Sequence, residues 1–228
     1  TALGVGICCD HGLLSPDTKV TDVLHKYLTC DIDKKWNEVT VDHLLRHRSG
    51  IKSCLLDIDD LDASQFDTAD YLKIVFSQSV EEIPGEYFKY TDDVFYLLSR
   101  VVAEVSGKNL TNLLRKPLMT TMRFKEFAWS VCPHGYAMGG TGLYLRTEDM
   151  VKLGVLYLRG GDWNGTRIVS EEWINTSVNR CYGFDSNENG LVLKGGMRGQ
   201  MLGIDLNNNT AFAYHGYGKY KMTDFIVE

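Results

Sequence analysis

The sequence predicts an α+β protein, mainly helical over residues 18–145 and continuing through 146–228 as a capped helix, short strands and a terminal helix. Three observations carry that expectation. Apolar residues recur at helical spacing in the first part, as in VTVDHLLRH and VFYLLSRVVAEVS. Glycine and proline close those segments, at Gly50, Gly107 and Pro117. After residue 190 the character changes to LVLKGG, QMLGIDL and TAFAYHG, β-prone runs divided by Gly or Asn-rich turns, which read as an antiparallel meander. No internal repeat or low-complexity linker divides the chain, so residues 1–228 are expected to form a single domain.

Taken in order, ALGVGICCDHGLL starts as an apolar helix and ends in a Gly turn. Ser15-Pro16-Asp17 signals a turn or helix start before VTDVLHKYL, a short amphipathic piece. Thr40 caps VDHLLRH, where Val41, Leu44 and Leu45 share one face, and Ser49-Gly50 ends that helix. Residues 57–70 are acidic and loop-like, and TADYLKIVFSQ forms a helix with Tyr71, Ile74 and Val75 inward. Pro84-Gly85 breaks the chain before YFKYTDD; one long helix then runs from Asp93 to Gly107, and a second ends at Pro117. Thr147 is the expected N-cap of EDMVKLGVLYLRGG, which stops at Gly160-Gly161, and KMTDFIVE is the expected terminal helix.

With 44% hydrophobic and 11% aromatic residues, the chain can bury a sizeable core. Its 30 acidic and 24 basic residues give a net charge of -6 and are scattered, without the basic blocks that track a phosphate backbone, so no nucleic-acid partner is expected. No apolar run approaches the roughly 20 residues of a bilayer span. No charged stretch followed by an apolar one marks a leader at the amino end. Cys8, Cys9, Cys30, Cys54, Cys132 and Cys181 lack a repeated spacing and read as buried thiols, which favours a reducing compartment such as the cytoplasm. Cys8-Cys9-Asp10-His11 and Cys132-Pro133-His134 hold metal-ligand types but lack a paired C-x-x-C or H-x-x-x-H partner, so neither a metal nor another cofactor is expected. The N-x-S/T triplets at Asn109, Asn164, Asn175 and Asn208 say little about secretion.

Ser49-Gly50-Ile51-Lys52 has the Ser-x-x-K spacing that places a nucleophile and its base one helical turn apart. Here the serine follows a helix instead of opening one. A nucleophile needs the free N–H groups of a helix N-terminus to stabilise developing negative charge, so Ser49 reads as a turn residue. His47, His134 and His215, with Asp149 or Asp205, suggest a Ser-His-Asp triad, but the chain has no G-x-S-x-G elbow to support one. Gly4-Val5-Gly6 lacks the third glycine and preceding strand of a dinucleotide site.

Five segments share an order with a known group of enzymes: the opening TALGVGICCDHGLLSPDTKVTDVL, VTVDHLLRHRSGI, PGEYFKYTDDVFYLLSRVVAEVSGKNL, MGGTGLYLRTEDMVKLGVLYLRGGDWNGTRIVS, and KGGMRGQMLGIDLNNNTAFAYHG. Together they resemble the serine β-lactamase and penicillin-binding-protein-like hydrolases, especially the class C β-lactamase-related esterase branch. The resemblance covers nearly the whole chain. It implies an α/β sandwich of the β-lactamase/transpeptidase type, an antiparallel sheet flanked by helices with a mostly helical subdomain. It also implies that the family's Ser-x-x-K, with the strands that precede it, lies upstream of Thr1.

By the same resemblance Tyr90-Thr91-Asp92 matches the family's Tyr-x-Asn, with Asp92 where Asn is usual. Tyr90 would take the serine proton and return it to the leaving group, a role that needs nearby cations, Lys194 among them. Asp92 keeps an acceptor but loses the amide donor and adds charge, which puts recognition of a substrate amide in doubt. Lys194-Gly195-Gly196 matches the K-x-G strand: the lysine faces a substrate carboxylate or the oxyanion, the glycines admit the substrate, and the N–H of Met197 serves the oxyanion. Arg198 and Gln200 read as turn residues or substrate contacts. The implied reaction is acyl transfer to water on a small ester, amide or β-lactam-like substrate, without cofactor. The alternative is a binding or regulatory domain of the same fold without a nucleophile. Oligomeric state is not legible.

Overall fold

The computed structural model describes residues 1–28, 31–57, 64, 66, 68–197 and 199–216. It divides into two compact units, Thr1–Arg123 with Phe127–Tyr144, and Phe124–Glu126 with Leu145–Glu228. The acidic segment expected to be a loop falls largely outside the described residues, as do Arg198 and the expected terminal helix.

The first unit contains α1 (Ala2–Asp10), α2 (Val20–Leu24), α3 (Val41–Leu45), α4 (Tyr71–Phe76), α5 (Asp92–Ser106) and α6 (Leu110–Leu114), followed by β1 (Phe127–Trp129) and, at its end, β2 (Leu143–Leu145). Thr40 caps α3 as expected: its side chain accepts from the His43 N–H, and the His43 ring accepts in return from the Thr40 N–H. Asp70 does the same service for α4, accepting from the Leu72 N–H at 3.1 Å. The centre of the unit is α5, where Val94, Leu97, Leu98, Val101 and Val102 are fully buried. Each such aliphatic contributes roughly 1.5–3 kcal/mol, enough together to carry two charged residues on the same helix, Asp93 and Arg100, into the interior. Arg100 is accommodated by aromatic faces, 3.7 Å over the Tyr136 ring and 5.0 Å from that of Tyr27, and its Nη1 donates to the Tyr96 hydroxyl at 3.1 Å. Gly107, left-handed at φ 65°, ends the helix where its glycine predicted.

Pro117 does not end the next helix. The chain runs on from α6 through a π-helical turn, Arg115–Thr120, in which the Thr121 N–H reaches back five residues to the Lys116 carbonyl at 3.1 Å. Widening the turn is a known way around a proline, which lacks an N–H and collides with the carbonyl four residues before it.

The second unit contains α7 (Thr147–Leu158), β3 (Asp162–Trp163), β4 (Thr166–Arg167), α8 (Glu171–Asn179), β5 (Ser186–Glu188), β6 (Leu191–Gly195), β7 (Met201–Asp205) and β8 (Thr210–Tyr214). The expected meander is present and one strand larger, an antiparallel sheet in the order β5-β6-β7-β8. The additional strand pairs through a two-residue loop, with Glu188 opposite Leu191 and Asn189-Gly190 both at positive φ, 52° and 86°. Those are the requirements of a type I′ hairpin. Asn164-Gly165, at 53° and 84°, makes the same turn between β3 and β4. Helix α7 lies on the sheet through Gly154, where an added Cβ would sit 2.8 Å from that of Ala211. Thr147 is the first residue of α7 and not its N-cap; Arg146 holds that position, and the Thr147 hydroxyl instead meets His215 Nδ1 at 2.7 Å.

Candidate active site

Tyr90 stands just before the start of α5, in a segment that pairs with the end of the α3 turn. The Gly85 N–H donates to the Arg48 carbonyl and the Lys89 N–H to that of His47, each at 2.8 Å. His47, at φ 53° and 7% exposed, is the keystone of this turn. Its ring stacks on Tyr90 at 4.6 Å and on Phe95 at 4.8 Å, so the histidine is an aromatic spacer fixing the tyrosine ring against α5. The Tyr90 side chain is itself 46% exposed, and its hydroxyl donates to Asp92 Oδ1 at 3.4 Å, longer than the usual O–H···O distance. Asp92 and Asp93 open α5, where the helix dipole favours carboxylates.

Asp93 anchors this end of the helix. It is fully buried and accepts from the Leu56 N–H at 2.7 Å, the Leu55 N–H at 3.0 Å and Gln78 Nε2 at 2.7 Å. Burial pushes its carboxyl above the usual carboxylate range, against the pull of those hydrogen bonds. Cys54 lies between the two acids: its sulfur accepts from the Asp92 N–H at 3.3 Å, and burial with the neighbouring Asp93 pushes its thiol up to about 11, which leaves it a poor nucleophile. The Gly139-Gly140 pair packs on the same turn. A Cβ on Gly139 would fall 2.2 Å from the Phe95 carbonyl oxygen and one on Gly140 2.8 Å from Asp92 Oδ1, so the pair is required by close approach.

Ser49 is 3% exposed, and its Oγ accepts from the Ile51 N–H at 3.4 Å. Lys52 faces the other way, with Nζ 2.8 Å from Glu82 and 3.3 Å from Glu81. The Ser-x-x-K spacing is therefore a turn whose two ends have separate partners. His134 sits exposed on the Cys132–Gly135 turn, and His215 is bonded to Thr147.

In the second unit, Lys194 is on β6 opposite Leu202, with Gly195 opposite Met201. Lys194 Nζ lies 2.8 Å from Asp185 Oδ1, and Asp185 Oδ2 accepts from the Gly195 N–H at 2.6 Å. Gly196 N–H donates to the Gln200 carbonyl at 2.8 Å, and a Cβ there would meet the Gln200 side chain at 2.8 Å. The two glycines thus make room for Asp185 and Gln200. Met197 is 66% exposed.

Tyr90 with Asp92, and Lys194 with Gly195, Gly196 and Met197, thus form two clusters, one in each unit. The sequence offers His47 only as a triad candidate, and its stacking on Tyr90 is a tertiary contact without a local signal. Asp185 did leave one: an Asn-Gly hairpin at 189–190, once recognised, counts back to place residue 185 across from 194. Among the described residues no group of three or more His, Cys, Asp or Glu side chains is arranged to hold a metal, and no helix is long and apolar enough to cross a membrane. Cys8, Cys9, Cys54, Cys132 and Cys181 are all unbridged.

This mixed helix and sheet architecture matches the β-lactamase/transpeptidase fold class. The Beta-lactamase family profile matches residues 1–226, and the chain belongs to that family. Among solved structures it is similar to a protein described as a candidate 6-aminohexanoate-dimer hydrolase from Bacillus anthracis, with a TM-score of 0.79 and 15% identity, covering 98% of this chain and 67% of that one. It is also similar to a penicillin-binding-protein homologue from Caulobacter crescentus, with a TM-score of 0.74, 13% identity, and 96% and 75% coverage. A family VIII carboxylesterase aligns with a TM-score of 0.71 at 16% identity, over 99% and 78% of the two chains. Compared by sequence with curated proteins, the chain matches none.

Proposed function

We propose that the protein is a serine hydrolase that transfers an acyl group from a small ester or amide to water through an acyl-serine intermediate. The observation that carries this reading is the family match over residues 1–226, within which the Tyr90 and Lys194 segments both fall. Similar folds include a family VIII carboxylesterase and a D-stereospecific amidohydrolase, which supports esters and amides as the substrate class. The nucleophilic serine and its lysine are assigned to sequence preceding Thr1.

In this reading Tyr90 acts as the phenolate: the serine oxygen bonds to the substrate carbonyl carbon while the phenolate oxygen takes the hydroxyl proton. Tyr90 then gives that proton to the leaving alcohol or amine as its bond to the acyl carbon breaks. Once protonated, the Tyr90 hydroxyl donates to Asp92 Oδ1, which orients it between the two proton transfers. Lys194 supplies positive charge and the Met197 N–H a donor to the developing oxyanion, with Gly195 and Gly196 shaping the strand beside them. Water next adds to the acyl-serine and releases the acid. Intact-mass measurement of the full-length protein before and after a fluorophosphonate probe, with peptide mapping, tests this. One adduct on a peptide upstream of Thr1 is the expected result. No adduct overturns the reading in favour of a binding domain, and an adduct on Ser49 overturns its place as a turn residue.

A further inference from the structure

Lys194 is the cation this reading places against the substrate, and it already has a carboxylate within its own sheet. Asp185 reaches it with one oxygen, Oδ1, at 2.8 Å, while the other oxygen holds the Gly195 N–H at 2.6 Å. Both bonds are charge-assisted, the stronger class of hydrogen bond. The arrangement is set by register: the Asn189-Gly190 turn and the pairing of Ser186 with Leu193 carry Asp185 opposite Lys194, and the Asp185 N–H is itself bonded to the Leu193 carbonyl at 2.8 Å. An anion on this strand therefore finds the lysine and the neighbouring N–H engaged by a tethered competitor.

We infer that Asp185 is a specificity-determining residue, a built-in counter-ion that makes this hydrolase select substrates uncharged at the group facing Lys194. The inference rests on the role given to Lys194 under the proposed function. A carboxylate-bearing substrate must either displace Asp185 or share one ammonium with it, and like charges around one cation disfavour the second. A neutral alkyl or aryl ester, or a neutral amide, meets no such opposition. The side chains of Lys194 and Asp185 are 32% and 46% exposed, so solvent moderates the discrimination to on the order of twofold to fivefold.

The test compares full-length wild type with Asp185→Asn, which removes the charge and keeps an oxygen that can accept from the Gly195 N–H. The rates kcat/KM are measured on p-nitrophenyl valerate and on mono-p-nitrophenyl glutarate, similar in length and differing in a terminal carboxylate. The substitution is expected to raise the charged-to-neutral ratio about twofold to fivefold at low salt, and less at 0.5 M salt. An unchanged ratio overturns the inference. Glutarate binding to both proteins by calorimetry judges Asp185 without turnover: tighter binding to the variant supports it, and equal affinity overturns it. Failure of wild type to hydrolyse either ester counts against the proposed function, while the calorimetric comparison still decides the role of Asp185. Thermal melting confirms that the variant is folded.

Discussion

Tyr90 is held by buried neighbours and Lys194 by an exposed one. His47, 7% exposed, stacks on the tyrosine, and Asp93, fully buried, ties down the helix that follows it. Asp185, which grips Lys194, has a side chain 46% exposed. In the first case the supports belong to the core, so a change there is felt as lost stability. In the second the support is a surface carboxylate whose charge can be removed while the fold remains, and its effect falls on selection of ligand.

The largest expected effect separates Tyr90 from its supports. Tyr90→Phe in the full-length protein keeps the ring on His47 and removes the hydroxyl, so kcat should fall by roughly 10²- to 10⁴-fold with the melting temperature unchanged; undiminished turnover would remove Tyr90 from the reaction. Asp93→Ala strands the donors of Leu55, Leu56 and Gln78 and should cost about 3 kcal/mol in denaturant unfolding. Its pH dependence has a definite sign. Since burial raises the folded pKa, the native state keeps a proton that the unfolded chain has lost between the ordinary carboxylate range and that raised value. The contribution of Asp93 is thus most favourable below the ordinary range and declines as pH rises through the raised value; Asp93→Asn, though less stable, should show a flatter profile over that window.

Gly139→Ala should cost about 2 kcal/mol, because it puts a Cβ against the Phe95 carbonyl at a backbone φ of 77°. A variant as stable as wild type would mean that the close approach of the glycine pair to α5 is not needed. The smallest effect is expected at Lys52→Ala, which breaks only exposed pairs with Glu81 and Glu82: no resolvable shift in the melting temperature and no change in turnover. Any large loss of activity there would return Ser49 and Lys52 to consideration as nucleophile and base.

Local rules predicted what local rules govern. Thr40 before the apolar face of VDHLLRH announces a cap, and Gly107 after an apolar run announces a helix end, because both depend on hydrogen bonds or dihedral angles within one turn. Two Asn-Gly hairpins carry a signal of the same kind, but their flanking strands, Asp162–Trp163 and Ser186–Glu188, are too short for apolar alternation to show. Pro117 misled for the opposite reason: its local message is to stop, and the helix continues in a wider form.

By itself the sequence determined the α+β class, the meander and the Thr40 cap, since periodicity and turn chemistry act over a few residues, while the motifs around Tyr90 and Lys194 were legible only through the family resemblance. Tertiary structure alone decided what each motif's charged and aromatic groups touch. The ring of His47 reaches Tyr90 across 43 positions of chain, and the Ser49-Lys52 spacing dissolves because Lys52 finds glutamates some 30 residues away. Even the grip of Asp185 on Lys194 required strand register to bring the two together. Contacts of this kind depend on packing and desolvation at a particular place, and neither quantity is written in the residues on either side.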